Sequence, residues 1–193
     1  MIAICGKQMY VEVTKGLIDA CYKLTQHYIP YEVKFFSQYG LERERNMAVR
    51  TFLKSKHSHL FFLDTDVVLK PDTLSTLLIA SKDHFIISGM YILNKDLNAV
   101  ANVKISPRTW KFVSFEKLYK PWISKIVEID GAGAGCLLID RVVLETVKQP
   151  WFKFYGIYGE DLHFCDKAKK AGFQTYLHMD VKVTHIKCQE LII

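Results

Sequence analysis

The sequence predicts an α/β fold, a single domain over residues 1–193 whose mostly parallel central sheet is flanked by helices. A chain of this length normally forms one domain, and half of its residues are apolar, which is enough for a sizeable core. Residues 60–63 form a short apolar run bounded by polar residues and flanked by helical patterns, as in a strand buried on both faces of a parallel sheet. The run ends at Asp64-Thr65-Asp66, and open α/β sheets bind ligands at this carboxyl end of their strands.

Net charge and cysteine content describe the environment of the protein. The formal net charge of +6 favours anionic partners, but the basic residues are scattered along the chain. Five cysteines without a Cys-x-x-Cys spacing or a signal peptide predict a reduced, cytoplasmic protein. No apolar run is long enough to span a bilayer, so any membrane contact would be peripheral, at the membrane surface.

The first half of the chain alternates between strand and helix patterns. Apolar, β-prone runs mark the strands, and apolar residues three and four positions apart mark amphipathic helices. The predicted order is a strand over residues 1–5, a helix over 11–27, a strand over 31–36, a helix over 41–55, the central strand over 59–64, a helix that starts at Lys70-Pro71-Asp72 and a strand over 85–91.

The second half is regular only after residue 125. Residues 94–125 mix short β-like runs with Pro, Trp and Lys, and the pattern predicts no definite structure. A strand over 126–129, a small-residue loop over 130–135, a strand over 136–139, a helix over 141–148, a helix from Glu160 to Gly172 and β structure from Tyr176 onward follow. The loop glycines allow close backbone approach to a ligand, but no Gly-Lys-Ser/Thr follows them, so this is not a phosphate loop.

Four residues in the first half are candidate ligand contacts. Gly6 and Lys7 follow the first strand, and they lie at the same sheet edge as Asp66 if the two strands are parallel. Arg45 and Asn46 lie on the helix over residues 41–55, and a guanidinium matches a diphosphate bidentately. The alternatives are an ordinary strand-to-helix turn for the first pair and a solvated helix face for the second.

Glu160 and Asp161 begin a predicted helix, where acids commonly cap the helix and complement its dipole. The preceding aromatic residues Trp151 and Phe152 would desolvate a carboxylate and raise its pKa, as a general base requires. His185 ends a late strand, where a histidine is either structural or a ligand that completes a metal site.

The order of these features resembles that of the GT-A-fold glycosyltransferases, most closely the large inverting family that uses nucleotide sugars. The matching features are Arg45-Asn46, Asp64-Thr65-Asp66, Pro71, the strand near residues 133–139, Trp151-Phe152, Gly159-Glu160-Asp161, Cys165, Gly172 and Val183-Thr184-His185. The resemblance covers residues 41–83 and 129–186. The compact size is also similar to that of glycosyltransferases encoded by viruses.

The resemblance implies a hexosyltransferase reaction. Asp66, Asp64 and His185 would form the site for Mn²⁺ or Mg²⁺. Asp66 would ligate the metal, Asp64 would contact the ribose of the donor or a metal-bound water, and His185 would be a further ligand or a diphosphate contact. Thr65 would lie with them against the nucleotide-diphosphate sugar. Asp161, with Glu160 as its alternate, would deprotonate an acceptor hydroxyl on a glycan, glycoprotein or lipid, with inversion at the sugar carbon.

Two departures and two rival hypotheses accompany this interpretation. No acidic pair follows the second strand around residues 35–40, which leaves the donor base open, and the absence of Gln-x-x-Arg-Trp favours single-sugar transfer. A nucleotidyltransferase of related fold is one rival, although Gly6-Lys7-Gln8 is a poor substitute for its Gly-rich loop with Arg. A nucleic-acid-binding module is the other, but the basic residues are not clustered with stacking aromatics, so no nucleic-acid partner is expected.

Overall fold

The computed structural model describes residues 1–93, 98–106, 109–114, 118, 125–154 and 159–186. The strands are β1 (Ile2–Cys5), β2 (Val33–Phe36), β3 (His59–Asp64), β4 (Val67–Val68), β5 (Ile86–Met90), β6 (Asn98–Ser106), β7 (Thr109–Ser114), β8 (Ile126–Ile129), β9 (Gly131–Ala132), β10 (Cys136–Asp140), β11 (Thr175–Lys182) and β12 (Thr184–His185). The helices are α1 (Val11–Gln26), α2 (Leu41–Leu53), α3 (Thr73–Ala80), α4 (Arg141–Thr146) and α5 (Glu160–Lys170).

Seven strands form the central sheet in the order β2-β1-β3-β10-β5-β11-β8. Strands β2, β1, β3, β5 and β11 run in one direction, whereas β10 and β8 are antiparallel to their neighbours. The predicted α/β fold with a mostly parallel sheet is therefore confirmed, with two reversed strands. Apolar patterning does not predict the reversal, because a central strand buried on both faces has the same composition in either direction.

Strand β3 is buried on both faces, as its apolar run predicts. Phe61 faces Leu24 of α1 and Leu74 of α3 across a shared cavity. On the opposite face, Phe62 makes an edge contact with Phe152 at 5.2 Å between ring centroids. Helices α1 and α3 therefore cover one face of β3, and the loop that carries Phe152, stacked on Phe164 of α5, covers the other.

Two small sheets bring distant segments to the carboxyl end of β3. Strand β12 pairs antiparallel with β4, with His185 opposite Val67. The β6–β7 hairpin, which falls in the segment that the sequence left undefined, pairs with β9 through Ala101 and Ala132. The chain turns at Thr65-Asp66, between β3 and β4.

The cysteines of the described residues are reduced. Cys5, Cys21, Cys136 and Cys165 are buried free thiols, and Cys188 lies outside the described residues. Burial raises the pKa of Cys5 and of Cys136 to about 12, so these thiols stay protonated and act as apolar packing groups. In the part of the chain that the structure describes, no helix has the length and apolar character needed to cross a membrane.

Candidate active site

The loop after β1 and the turn after β3 lie side by side. The two strands are parallel, with Cys5 opposite Asp64, so their carboxyl ends reach the same sheet edge. The backbone N–H of Tyr10 donates to the carbonyl of Thr65 at 3.2 Å. Gly6 has a φ of +134°, and a Cβ there would lie 3.0 Å from Cγ2 of Thr65, so the close approach of the two segments requires glycine.

Arg45 is the buried centre of a charge network. Only 1% of its surface is exposed; Nη2 lies 2.9 Å from Oδ1 of Asp64, and Nη1 contacts Oε1 of Glu160. Burial alone would lower the pKa of Arg45, but the carboxylates of Asp64, Glu160 and Asp161 raise it, so the guanidinium stays charged. A single side chain thus connects α2, the end of β3 and the start of α5.

Asp161 occupies the first turn of α5, beside this network. Its Oδ1 accepts a hydrogen bond from the backbone N–H of Leu162 at 2.8 Å. Oδ2 lies 3.6 Å from the position that a Cβ on Gly133 would take. Burial raises the pKa of the Asp161 carboxyl above its usual range, which strengthens it as a base. Glu160 is 3% exposed and bound by Arg45, so the geometry favours Asp161 over Glu160 as a general base.

Tyr91, just beyond β5, is a site residue that the sequence analysis missed. Its hydroxyl lies 2.9 and 2.7 Å from the Cβ positions of Gly133 and Gly135. The Cβ position of Gly135 is in turn 3.0 Å from Oδ2 of Asp64. Burial raises the pKa of Tyr91 well above its ordinary value, so its hydroxyl stays protonated and can donate a hydrogen bond. The small-residue loop predicted at 130–135 was the available signal, because its glycines leave space for a neighbouring polar group.

Asp66 and His185 form a second cluster beside Tyr91. Oδ2 of Asp66 lies 3.4 Å from Nε2 of His185, and the backbone N–H of Ile186 donates to the carbonyl of Asp66 at 2.9 Å. The ring of His185 is 5.9 Å from that of Tyr91. The β4–β12 pairing thus brings the late histidine to the aspartate, as the metal prediction requires.

The predicted third ligand, Asp64, faces Arg45 through one oxygen and Gly135 through the other. Among the described residues, no three His, Cys, Asp or Glu side chains form a group that could hold a metal ion by themselves. Asp66 and His185 nevertheless fit a Mn²⁺ or Mg²⁺ ion, because such ions are commonly held by one or two protein ligands together with substrate phosphates.

Arg45 and Asn46, which the sequence predicts to contact a diphosphate, bind groups of the protein in this structure. Both Nη atoms of Arg45 bind carboxylates within the protein. The amide of Asn46 donates to the carbonyl of Phe152 at 2.6 Å and accepts from the N–H of Trp151 at 3.0 Å. The sequence could not indicate this, because α2 buries polar residues against other polar groups on its inner face.

A pocket opens next to the loop after β1. It has a volume of about 260 Å³ and is lined by Phe35, Phe36, Ser37, Gln38, Tyr39, Glu44 and Met47. The N–H of Gly6 donates to the carbonyl of Phe36 at 2.9 Å, so the pocket and the loop adjoin. Lys7 is exposed in the same loop. This edge of the sheet therefore combines a concave surface with the positive charge of a lysine side chain.

Replacing Gly135 with Ala should destabilise the fold by about 1–3 kcal/mol, because the new methyl group would meet the Tyr91 hydroxyl at 2.7 Å. Thermal unfolding of purified Gly135→Ala checks this. Adding Tyr91→Phe removes the clashing oxygen, so the double variant should recover part of the loss. An unchanged unfolding temperature in Gly135→Ala would contradict the close packing of this loop.

Comparison with known families and structures decides the identity of the chain. A family model described as Glycosyltransferase like family 2 matches residues 31–192. The chain belongs to this glycosyltransferase family. It is therefore an enzyme of the transferase class, as its resemblance to the GT-A glycosyltransferases implied.

Two solved structures share its fold. The first is the viral protein A197 from STIV, with 23% identity and a TM-score of 0.61 over 94% of this chain and 91% of that chain. The second is GalNAc-T7 with UDP, GalNAc and Mn²⁺, with 15% identity and a TM-score of 0.64 over 95% of this chain. This glycosyltransferase spans only 43% of the GalNAc-T7 chain. A comparison with curated protein sequences gives no match.

Proposed function

We propose that this glycosyltransferase, as a single domain over residues 1–193, transfers one hexose from a nucleotide-diphosphate sugar to an acceptor hydroxyl with inversion. The observation that carries the proposal is the placement of Asp64 and Asp161 at opposite ends of one short loop, residues 133–135, with the Tyr91 hydroxyl between them. An acid that contacts the nucleotide sugar and a base that contacts the acceptor need this arrangement, because the two groups must approach the transferred sugar from different sides.

Asp161 would take the proton of the acceptor hydroxyl. The acceptor oxygen then forms a bond to the anomeric carbon while the bond from that carbon to the diphosphate oxygen breaks. The electron pair of the broken bond leaves with the diphosphate, and attack from the opposite side inverts the anomeric configuration. A positioned base of this kind contributes roughly 10²- to 10⁴-fold to the rate.

Asp66 and His185, whose side chains lie 3.4 Å apart, would hold the divalent cation. Asp64, whose second oxygen faces Gly135, would contact the ribose of the donor or a water on the cation. The cation would supply Lewis-acid stabilisation of the charge that develops on the leaving diphosphate. The hydroxyl of Tyr91 is protonated and lies between Asp161 and the cluster of Asp66 and His185. It can therefore donate a hydrogen bond to an oxygen of the nucleotide sugar.

Gly6, Lys7 and Thr65 would bind the donor at the same edge of the sheet. Lys7 offers a cation to a phosphate, and Gly6 allows the backbone to approach it closely. The pocket over residues 35–39 is the adjoining concave surface. Because it contains Glu44 but no acidic pair, recognition of the nucleotide base would depend on shape and aromatic contact.

Family membership supports this reaction over the two rival hypotheses. The acceptor would be a glycan, glycoprotein or lipid, with peripheral membrane contact in the last case. The buried free thiols are compatible with the reducing, cytoplasmic location that the sequence predicts.

Asp66→Ala should abolish Mn²⁺-dependent binding of a nucleoside diphosphate while leaving the unfolding temperature within a few degrees of the parent. The side chain lies at the cluster with His185 and not in the apolar core, so its loss removes a ligand rather than packing. A thermal-shift screen of nucleoside diphosphates with and without Mn²⁺ selects the ligand, because binding to the native state raises its stability. Calorimetry then measures the affinity.

Asp83→Ala is the matched control, because Asp83 is an exposed aspartate outside the site. It should bind the nucleotide as the parent does. Equal Mn²⁺-dependent affinity in Asp66→Ala and Asp83→Ala would refute the role of Asp66.

A further inference from the structure

Strand β2 is one of the two edge strands of the central sheet, and β8 is the other. Strand β2 begins the strand order and pairs in parallel with β1 on its inner side. Ile2 donates to the carbonyl of Glu32 at 2.7 Å, and Gly6 donates to the carbonyl of Phe36 at 2.9 Å. The backbone N–H and C=O groups of alternate residues in a parallel strand point to the same neighbouring strand. The groups of residues 32 and 36 point to β1, so those of Val33 and Phe35 point away from the sheet. In the described part of the chain, no strand pairs with this outer side.

The side chains around this edge are apolar and exposed. Phe35 is 61% exposed and Tyr31 38%; on α1, Ile18 is 61% exposed and Tyr22 64%. A groove lined by residues of α1 together with Tyr31 and Val33 makes the helix and the strand one continuous surface, called here the β2–α1 surface. An edge strand with exposed apolar neighbours is a template for pairing with another strand.

We propose that the β2–α1 surface binds a second copy of this chain, with the two β2 strands antiparallel about a two-fold axis at Val33. A two-fold interface must be self-complementary, because the same patch serves both partners. Hydrogen bonds between the two β2 strands form only where outward-facing residues lie opposite one another. The possible pairs are Val33 with Val33, Val33 with Phe35, and Phe35 with Phe35, which place the two-fold axis at residue 33, 34 or 35.

Charge selects the axis at Val33. In that register Glu32 lies opposite Lys34 of the second copy, twice by symmetry, and Tyr31 lies opposite Phe35 of the second copy. An axis at residue 34 would place Lys34 opposite itself, and an axis at 35 would place it opposite Phe36. Opposite charges directly across an antiparallel pair stabilise it, and like charges destabilise it. Glu32 and Lys34 already contact each other at 3.0 Å within one chain, so the pairing would create a ring of four alternating charges.

The helices support the same partner. Helix α1 covers the face of β2 that carries Val33, as the shared groove shows. The two-fold axis would therefore bring two α1 helices together over the joined sheet and bury Ile18 and Tyr22. Because the joined strands run in opposite directions, the two candidate active sites would lie at opposite edges, and both would stay open to substrate.

Charge reversal tests the register. Sedimentation equilibrium of the parent should give a dimer, and Lys34→Glu or Glu32→Lys alone should weaken dimerisation by about tenfold or more. The double variant Glu32→Lys/Lys34→Glu should restore it, because opposite charges again face each other. The unfolding temperature of each variant shows whether the fold is intact. A monomeric parent at tens of micromolar, or a double variant as weak as the singles, would overturn the proposal.

Cysteine cross-linking tests the axis independently. Val33→Cys places two thiols opposite each other at the axis, within the Cα separation that a disulfide accepts, so mild oxidation should give a covalent dimer. Lys34→Cys pairs a thiol with Glu32 and should not cross-link. The parent, with its native cysteines, controls for other disulfides. Cross-linking of Lys34→Cys in preference to Val33→Cys would reject the Val33 axis.

Discussion

Asp161→Asn should lower the rate of sugar transfer by about 10²- to 10⁴-fold while leaving donor affinity unchanged. The amide keeps the shape of the side chain, and its oxygen can still accept the hydrogen bond from Leu162. It cannot take a proton from the acceptor. A transferase assay with the donor identified by thermal shift measures the rate, and calorimetry measures donor affinity.

Two matched variants accompany Asp161→Asn. Asp166→Asn removes a carboxylate from the same helix, where Asp166 binds Lys104 and Lys170, and should retain the transfer rate. Glu160→Gln tests the alternate base by an equivalent change. Full transfer activity in Asp161→Asn would remove Asp161 from the mechanism.

The pH dependence of the same rate follows from the raised pKa of Asp161. The base acts only as a carboxylate, so the rate should fall as the pH decreases through this raised pKa, at a higher pH than for an ordinary aspartate. The folded state holds the Asp161 proton more tightly than the unfolded state does, so ionisation of this carboxyl lowers stability as the pH rises. Asp161→Asn should therefore also raise the unfolding temperature at neutral pH.

Arg45→Met should lower the free energy of unfolding by about 3–5 kcal/mol, the usual cost of removing one partner from a buried ion pair. The methionine fills much of the same volume but leaves Glu160 buried without a cation. Asp64 loses its contact at the end of β3 as well. Chemical denaturation measures the lost free energy of unfolding. Transfer activity should also fall, because the ion pairs through which Arg45 connects α5 to β3 are removed.

Arg50→Met is the control on the exposed face of the same helix, and it should change stability by no more than about 0.5 kcal/mol. The double variant Arg45→Met/Glu160→Met removes both charges and should be more stable than Arg45→Met alone. Equal unfolding energies for Arg45→Met and Arg50→Met would show that the buried network does not stabilise the fold.

Much of the fold could be predicted because each main element has its own local pattern. The helices begin at Val11 and Leu41 as periodicity predicts, and β3 ends at Asp64, where the apolar run stops. The β6–β7 hairpin was not predicted, because its short β-like runs are stabilised mainly by pairing with each other and with β9. Pairing of this kind depends on partners distant in sequence, which periodicity cannot reveal.

Some residues of the candidate site could likewise be predicted from local sequence patterns, and others could not. Asp66, Asp161 and His185 could be named because each polar residue interrupts or ends a regular pattern. Tyr91 could not, because an aromatic residue beside a buried strand resembles any other core residue. Arg45 was assigned a ligand role on its chemistry, whereas its burial between two carboxylates depends on α2, β3 and α5 packing together.

The sequence by itself determined the α/β class, the main helices, the central strand and the acids at its end, because local periodicity and polarity encode these features. Only the tertiary structure decided the reversed direction of β10, the pairing of His185 with Asp66 and the burial of Arg45 between Asp64 and Glu160. Each of these depends on contacts between residues far apart in the chain, and their energies exist only once the chain is folded.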